Sequence, residues 1–281
     1  MTVTRRVHGT GHTYRLTATG EKLTGVTTHL HNGVPKPALQ KWAAQATIDY
    51  LVDHWDELAA MPISERIRVL QKARYEDRDS AARKGTKIHK LAQKLIAGER
   101  VAIPEGLEGY VSAYVSFLDE FDVVPELVEA TIFHRKSKLV GTLDVIGSLI
   151  DPEDPEPDFT LRARQMWLYD IKSSRSGIFG ETALQMAPYR WADCWIDDEG
   201  VEHDMPQVDR VGAVHVRANG TYELIELDVD EQRMRDYRYV QEVARIVEES
   251  RYWVGEAIEP PRESTFRLVA ELLEPETAAT L

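Results

Sequence analysis

Two stretches of the chain depart from the helical rhythm around them. Lys138-Leu-Val-Gly-Thr-Leu-Asp-Val-Ile-Gly-Ser-Leu-Ile150 is β-branched and apolar without a 3.6-residue period, and Gln165-Met-Trp-Leu-Tyr-Asp-Ile-Lys172 alternates in part. Both predict strands. The segment between them predicts a hairpin excursion, with five acids and three prolines in the eight residues Asp151–Asp158. Such a run forms neither strand nor helix and reads as a solvated loop tip. Residues 37–76 repeat apolar positions every three or four, as in Ala38-Leu-Gln-Lys-Trp-Ala-Ala-Gln-Ala46, and predict helix. Ile88, Leu91, Leu95 and Ile96 predict a helix over 80–97, with Ser80 as a candidate N-cap and Gly98 just past the end. Residues 107–121 predict another, with Tyr110, Tyr114 and Phe117 on its core face.

Residues 1–30 read as small strands or a hairpin, through His12–Leu16 and Gly25-Val-Thr-Thr28. Further on, Arg210–Arg217 and Thr221–Leu227 flank Ala-Asn-Gly and predict a second hairpin, in which His215 is structural. Asp230 caps a last helix running to about 255. The elements sum to an α/β chain. Residues 1–260 read as a single domain, mostly helical over 1–100, with the strand-bearing core over 101–260 and a polar tail over 261–281.

The chemistry sits on the two strands. Side chains two apart on a strand share a face, so Asp170 and Lys172 point the same way and Ile171 points into the core. Asp144 on the neighbouring strand would bring a second carboxylate to the same level. Two carboxylates and a lysine at one sheet end can hold a hard cation such as Mg²⁺, which keeps water and takes substrate oxygens. A metal so held activates water for phosphodiester hydrolysis, and Lys172 would hold the water or stabilise developing charge. Taken alone, a strand Asp followed by Lys is often an edge charge pair on a wet face. His89, beside Ile88 at the border of an apolar stripe, is on its own a core-edge histidine; next to a metal site its neutral imidazole is a ligand.

Composition narrows the setting. The chain has 281 residues, one cysteine (Cys194) and a net charge of −13. One cysteine excludes an internal disulfide and fits a reducing cytoplasm. No run approaches a membrane span, and the first residues lack a signal-peptide core. The acidic total argues against nucleic acid until its distribution is considered. Residues 66–100 hold eleven Lys and Arg against four acids, and smaller basic groups lie at Arg135, Lys136, Lys138 and at Arg162, Arg164. A basic run is usually a solvated helix face. Beside His89 it becomes a surface for tracking phosphates, with Arg83, Lys84, Lys87 and, past the second strand, Arg175 as candidate contacts.

In chain order stand Gly85-Thr-x-x-His89, Glu129, Gly141-x-x-Asp144, Asp170-x-Lys172 and Gln185-x-x-x-Tyr189. This order, spanning about 80–190, resembles the RecB-like branch of the PD-(D/E)xK nucleases, which includes lambda-type exonucleases, recombination nucleases and the CRISPR-associated adaptation nuclease. Thr24-Gly-Val-Thr-Thr-His-Leu30 is similar, more weakly, to an N-terminal segment of phage-type members. The resemblance implies a restriction-endonuclease-like core, a mixed central β-sheet flanked by helices, with a helical N-terminal part walling a DNA cleft. It implies that His89, Asp144, Asp170 and the Ile171 carbonyl hold one or two Mg²⁺ or Mn²⁺ ions. Glu129 would be a further ligand or lie just behind them, and Lys172 would serve the water. Gln185 and Tyr189, four apart on one helical face, would contact the nucleic acid, with Pro188 placing Gln185 in a first turn. A single cysteine cannot hold a 4Fe–4S cluster, so none is expected. The activity implied is a DNA exonuclease of phage recombination or replication, acting with a single-strand annealing protein or recombinase. A structure-specific endonuclease and a nuclease-fold DNA- or protein-binding module without catalysis are the alternatives.

Overall fold

A computed structural model describes residues 2–8 and 11–259, save the side chains at 38, 74 and 76–78; the tail expected over 261–281 lies outside the described residues. The chain opens with three short strands, β1 (Val3–His8), β2 (Gly11–Leu16) and β3 (Lys22–Leu23), in an antiparallel sheet. Helices α1 (Val26–Gly33), α2 (Pro37–Asp53), α3 (Trp55–Ala60), α4 (Ile63–Ile96) and α5 (Glu108–Glu120) follow. Then come β4 (Val124–Val128), β5 (Thr131–His134), β6 (Leu139–Thr142), β7 (Val145–Ile150) and β8 (Arg164–Lys172). Helix α6 (Glu181–Arg190), β9 (Cys194–Ile196), β10 (Glu202–His203), β11 (Arg210–Val216), β12 (Tyr222–Glu226) and α7 (Glu231–Ser250) complete it.

The central sheet has the order β12-β11-β8-β7-β4, with β8 and β11 parallel and the other neighbours antiparallel. It is a mixed sheet with helices on both faces. Alternation on β7 and β8 sorts the two cores. Val145, Leu149, Trp167, Tyr169 and Ile171 pack with α4 and α5 through Ile88, Tyr114 and Phe117. Ile146 and Leu168 face the other way, onto Leu30 of α1, Met186 of α6 and Tyr237 of α7. Each fully buried side chain of this size contributes about 1.5–3 kcal/mol, so the sheet is clamped from both faces. A second sheet, β10-β9-β5-β6, carries the N-terminal strands through Val3, Tyr14, Leu16 and Leu23 packed on Phe133, Val140, Cys194 and Ile196.

Several sequence expectations hold and several are corrected. The hairpin excursion is β7–β8, with Val145 opposite Tyr169 and Ile150 opposite Arg164. Its acidic loop lies at the far end of these strands from Asp144, roughly 20 Å away at about 3.3 Å per residue. The β11–β12 hairpin and the Asp230 cap form as expected, the cap accepting from the Arg233 N–H at 2.9 Å, although α7 stops at Ser250. His215 is buried, its Nε2 2.7 Å from the Ser174 carbonyl. Lys138–Ile150 is not one strand. It breaks at Leu143-Asp144 into β6 and β7, which belong to different sheets.

Ser80 caps nothing, because α4 runs unbroken for 34 residues from Ile63; the polar stretch around 71–80 conceals a continuous helix that no proline interrupts. Its end is as read, with Gly98 at φ 74° past the Ala97 cap. The helical stretch over 37–76 is interrupted at His54 and at Met61-Pro62, where α4 starts. Gly25-Val-Thr-Thr28 is no strand but the start of α1, because Val26 and Leu30 are both buried one turn apart in the core shared with α7. Packing there overrides the β-branched propensity. Gln185 lies in the second turn of α6, with Pro188 inside the helix.

One close approach fixes α5 on the sheet. A Cβ at Gly109 would stand 1.8 Å from the Ala218 carbonyl oxygen in the β11–β12 turn. Gly109→Ala should therefore push α5 off that hairpin and cost about 3 kcal/mol or more, read as a lowered urea midpoint with an unchanged slope. Gly98→Ala, where no atom lies within 4 Å, should cost only the strain of its positive φ.

Candidate metal centre

The strand break is what builds the site. The chain leaves the central sheet after β4, enters the second sheet as β5, and returns between β6 and β7. Glu129 and Asp144 occupy the two crossings. The crossings are tied together by Glu129 N–H to the Asp144 carbonyl at 2.8 Å and Leu143 N–H to the Ala130 carbonyl at 3.0 Å. Glu129 has φ 53°, a left-handed backbone that costs a non-glycine residue about 1–2 kcal/mol. Leu143 turns into the core, which leaves Asp144 to face a cleft of about 1000 Å³. That cleft is walled by α4 through Ala82, Gly85, Thr86, His89, Lys90 and Gln93, and by the N-terminal sheet opposite.

His89, Glu129 and Asp144 bring one ligand atom each to within 4.8 Å of one another, a group that could hold a metal ion. Asp144 Oδ2 lies 3.1 Å from His89 Nδ1 and accepts the Ile171 N–H at 2.9 Å. In a strand, N–H and C=O of one residue point to the same side, so the Ile171 carbonyl also faces Asp144. The Ile171 side chain runs the other way, into the α4–α5 core, as alternation predicts. Among the described residues the Glu129 carboxylate has no hydrogen-bond or ion-pair partner.

Asp170 and Lys172 share a face as expected. Asp170 is 3 % exposed, with its Oδ2 2.7 Å from Lys172 Nζ. Gln185 completes a triangle: its Nε2 donates to Asp170 Oδ1 at 3.2 Å and its Oε1 accepts from Lys172 Nζ at 3.1 Å. The Lys172 ammonium is thus the ion-pair partner of the buried Asp170 Oδ2. The Glu129 carboxylate, without a partner among the described residues and beside Asp144 and the His89 imidazole, is what a cation would complete, so this donor set fits a metal.

The electrostatics follow from crowding. The Asp144 charge lifts the His89 pKa from 6.5 to about 9. Burial alone would raise Asp144, but His89 outweighs it and holds the carboxyl below its ordinary value. Burial raises Asp170 despite Lys172, and burial with the Asp144 charge raises Glu129. Burial opposes the Lys172 charge, yet Asp170 leaves its pKa above that of ordinary lysine. Lys172 therefore stays protonated at neutral pH, a hydrogen-bond donor and not a base.

The other expected residues fall as follows. Tyr189 is buried and forms part of the cleft wall. A Cβ at Gly141 would stand 2.6 Å from its ring and 2.9 Å from Val26, so the glycine of Gly141-x-x-Asp144 makes room for that ring. Gln185 and Tyr189 both line the cleft, Gln185 through its bonds to Asp170 and Lys172 and Tyr189 through its packed ring. Arg83, Lys84 and Lys87 do not line the cleft; Lys84 lies 5.7 Å over the Tyr110 ring, and Arg175 is exposed in the loop after β8. The lysines and arginines that do line it are Lys90, Lys172 and, unforeseen, Arg5 and Lys22. The usable signal was β1 itself, where Arg5 shares a face with Val3 and Val7.

No protein-family model matches this chain, and no curated protein is significantly similar to it.

The raised His89 pKa sets a pH signature for the metal-free protein. The folded value lies above 6.5, so the stabilisation is complete below about 6.5 and is lost as pH rises through about 9. Urea midpoints in EDTA should fall across that window in the wild type and more weakly in His89→Gln. A metal competes with the same proton. Mn²⁺ binding at pH 7 should release about one proton, read by titration in two buffers of different ionisation enthalpy, and little at pH 10.

Proposed function

We propose that this chain is a metal-dependent nuclease that hydrolyses phosphodiester bonds of DNA from an end, on a restriction-endonuclease-like core. The observation that carries the reading is a group of three potential metal ligands, one of them a carboxylate without a partner among the described residues, beside a fixed ammonium. Glu129, Asp144 and His89 form one side of the cleft floor, and Lys172, held by Asp170 and Gln185, forms the other. The ordered motifs from Gly85 to Tyr189 point to the same class by resemblance.

His89, Glu129, Asp144 and Asp170, with the Ile171 carbonyl beside them, would hold Mg²⁺ or Mn²⁺. The metal, when bound, neutralises phosphate charge and lowers the pKa of bound water. The chain's own residues supply the rest. Lys172 donates hydrogen bonds to the attacking water or the developing oxyanion, because it stays charged. Gln185 fixes the direction of that ammonium and keeps Asp170 in one rotamer. Arg5, Lys22 and Lys90 draw phosphates into the cleft, where the acids would otherwise repel them. A space of about 1000 Å³ suits a few nucleotides of one strand more than a duplex, which favours action at an end. Phage recombination or replication, with an annealing protein or recombinase, is the setting the resemblance suggests.

The test uses end-labelled duplex, single-stranded and covalently closed DNA with Mg²⁺, Mn²⁺ or EDTA. The wild type should release short products from linear DNA only, and only with metal. Lys172→Ala and Asp170→Asn should lose at least about 100-fold in rate while still binding DNA and melting cooperatively. Cutting of closed circles would replace the exonuclease with an endonuclease. Binding without cleavage by the wild type under every condition would point to a nuclease-fold binding module.

A further inference from the structure

Leu127 and Ala130 anchor the two ends of the turn that carries Glu129 in the core, while Glu129 itself is only half-buried. Arg5 and Glu129 line both the cleft of about 1000 Å³ and a second cavity of about 820 Å³. A left-handed backbone beside two open spaces would relax unless polar contacts fix it. Two such contacts are present. One is the Glu129 N–H bond to the Asp144 carbonyl, within the crossing itself. The other comes from far away in sequence: Arg5 Nη1 donates to the Glu129 carbonyl oxygen at 2.8 Å and to Thr142 Oγ1 at 3.3 Å. Tyr14, directly across the β1–β2 ladder from Arg5, places its hydroxyl 2.8 Å from the same Thr142 Oγ1. One cross-strand pair of the N-terminal hairpin thus grips both chain crossings that carry metal-ligand candidates.

We propose that Arg5 is a positioning residue of the metal centre, holding the Glu129 turn in its strained conformation so that docking of the N-terminal hairpin and metal occupancy are coupled. Arg5 touches no ligand atom of the group; it acts on the backbone of one residue that supplies such an atom. The reading rests on the metal-binding part of the proposed function and not on cleavage. Coupling is reciprocal: a hairpin that favours the Glu129 turn raises metal affinity, and a bound metal tightens the hairpin.

The sign of the effect separates positioning from simple charge. Arg5 is a cation near a cation site, so deleting it as a mere neighbour would strengthen metal binding. Deleting it as a positioning residue weakens binding, by the 10- to 100-fold typical of groups that orient metal ligands.

The experiment is calorimetric titration of the metal-free full-length protein with MnCl₂. Arg5→Ala should bind Mn²⁺ about 10- to 100-fold more weakly. Arg5→Lys, which keeps the charge without the planar fork, should recover part of the loss, and Tyr14→Phe should weaken binding a few-fold. Arg15→Ala lies in the same hairpin, with its guanidinium on the Gly20 carbonyl, and should bind as the wild type does. Hydrogen exchange across Val3–Leu16 should slow on adding Mn²⁺ to the wild type and not to Arg5→Ala. Equal or tighter binding by Arg5→Ala, or equal loss in Arg15→Ala, overturns the proposal while leaving the metal centre in place. A wild type that takes up no Mn²⁺ overturns both. If Arg5→Ala melts early, Tyr14→Phe and Arg5→Lys carry the test.

Discussion

Two backbone hydrogen bonds, Glu129 N–H to Asp144 and Leu143 N–H to Ala130, hold together the place where the chain passes between its two sheets. The candidate metal ligands are arranged around that crossing. A strand that continued straight would alternate its side chains between two packed faces, and an acid on either would be buried without water. Breaking the strand at Leu143-Asp144 lets Leu143 stay in the core while Asp144 turns to the cleft. The same break places Asp144 level with the end of β8, where its carboxylate takes the Ile171 N–H. A mixed sheet clamped by helices on both faces gives the crossing a rigid base, so its strain is absorbed locally.

The charges near the crossing are balanced without a metal, but unevenly. His89 satisfies Asp144, and Lys172 with Gln185 satisfies most of Asp170. Burying an unpaired ion costs several kcal/mol, so such pairs are needed for the fold to form at all. Glu129 is left over, and it sits on the most strained backbone of the set. Two carboxylates neutralised by side chains and a third left free make a site that folds without a cation and still has room for one. A site with all three acids unpaired would resist folding, and one with all three paired would have no use for a metal.

What could be read in the sequence was what is local. Strand alternation put Asp170 and Lys172 on one face and Ile171 on the other, and the register of β7 on β8 brings Asp144 to their level. His89 lay on a helix whose apolar stripe was plain. The break at Leu143-Asp144 was hidden, because an apolar β-branched run looks the same whether it stays in one sheet or changes sheets. The unbroken length of α4 was hidden by a polar stretch that packing does not need. Gly25–Thr28 misread as strand because the contact that makes it helix is with α7, some 200 residues away. Arg5 is the extreme case. Its partners are 124 and 137 positions along the chain, and no window over β1 contains them.

The distribution of charge gives the molecule a direction that its total of −13 conceals. Cations that line the cleft come from three separate segments, Arg5 and Lys22 from the first sheet, Lys90 from α4 and Lys172 from β8. The densest acidic run, Asp151–Asp158, is held at the opposite end of the β7–β8 hairpin, where its carboxylates accept hydrogen bonds from backbone N–H groups of their own loop and from Ala163. Screening at physiological salt falls off over about 8 Å, so acids roughly 20 Å away along a strand barely weaken the field inside the cleft. They do set the potential of the outer surface around their own loop. An acidic protein thus keeps its densest negative run away from a cleft in which lysines and arginines stand beside the three buried or half-buried acids.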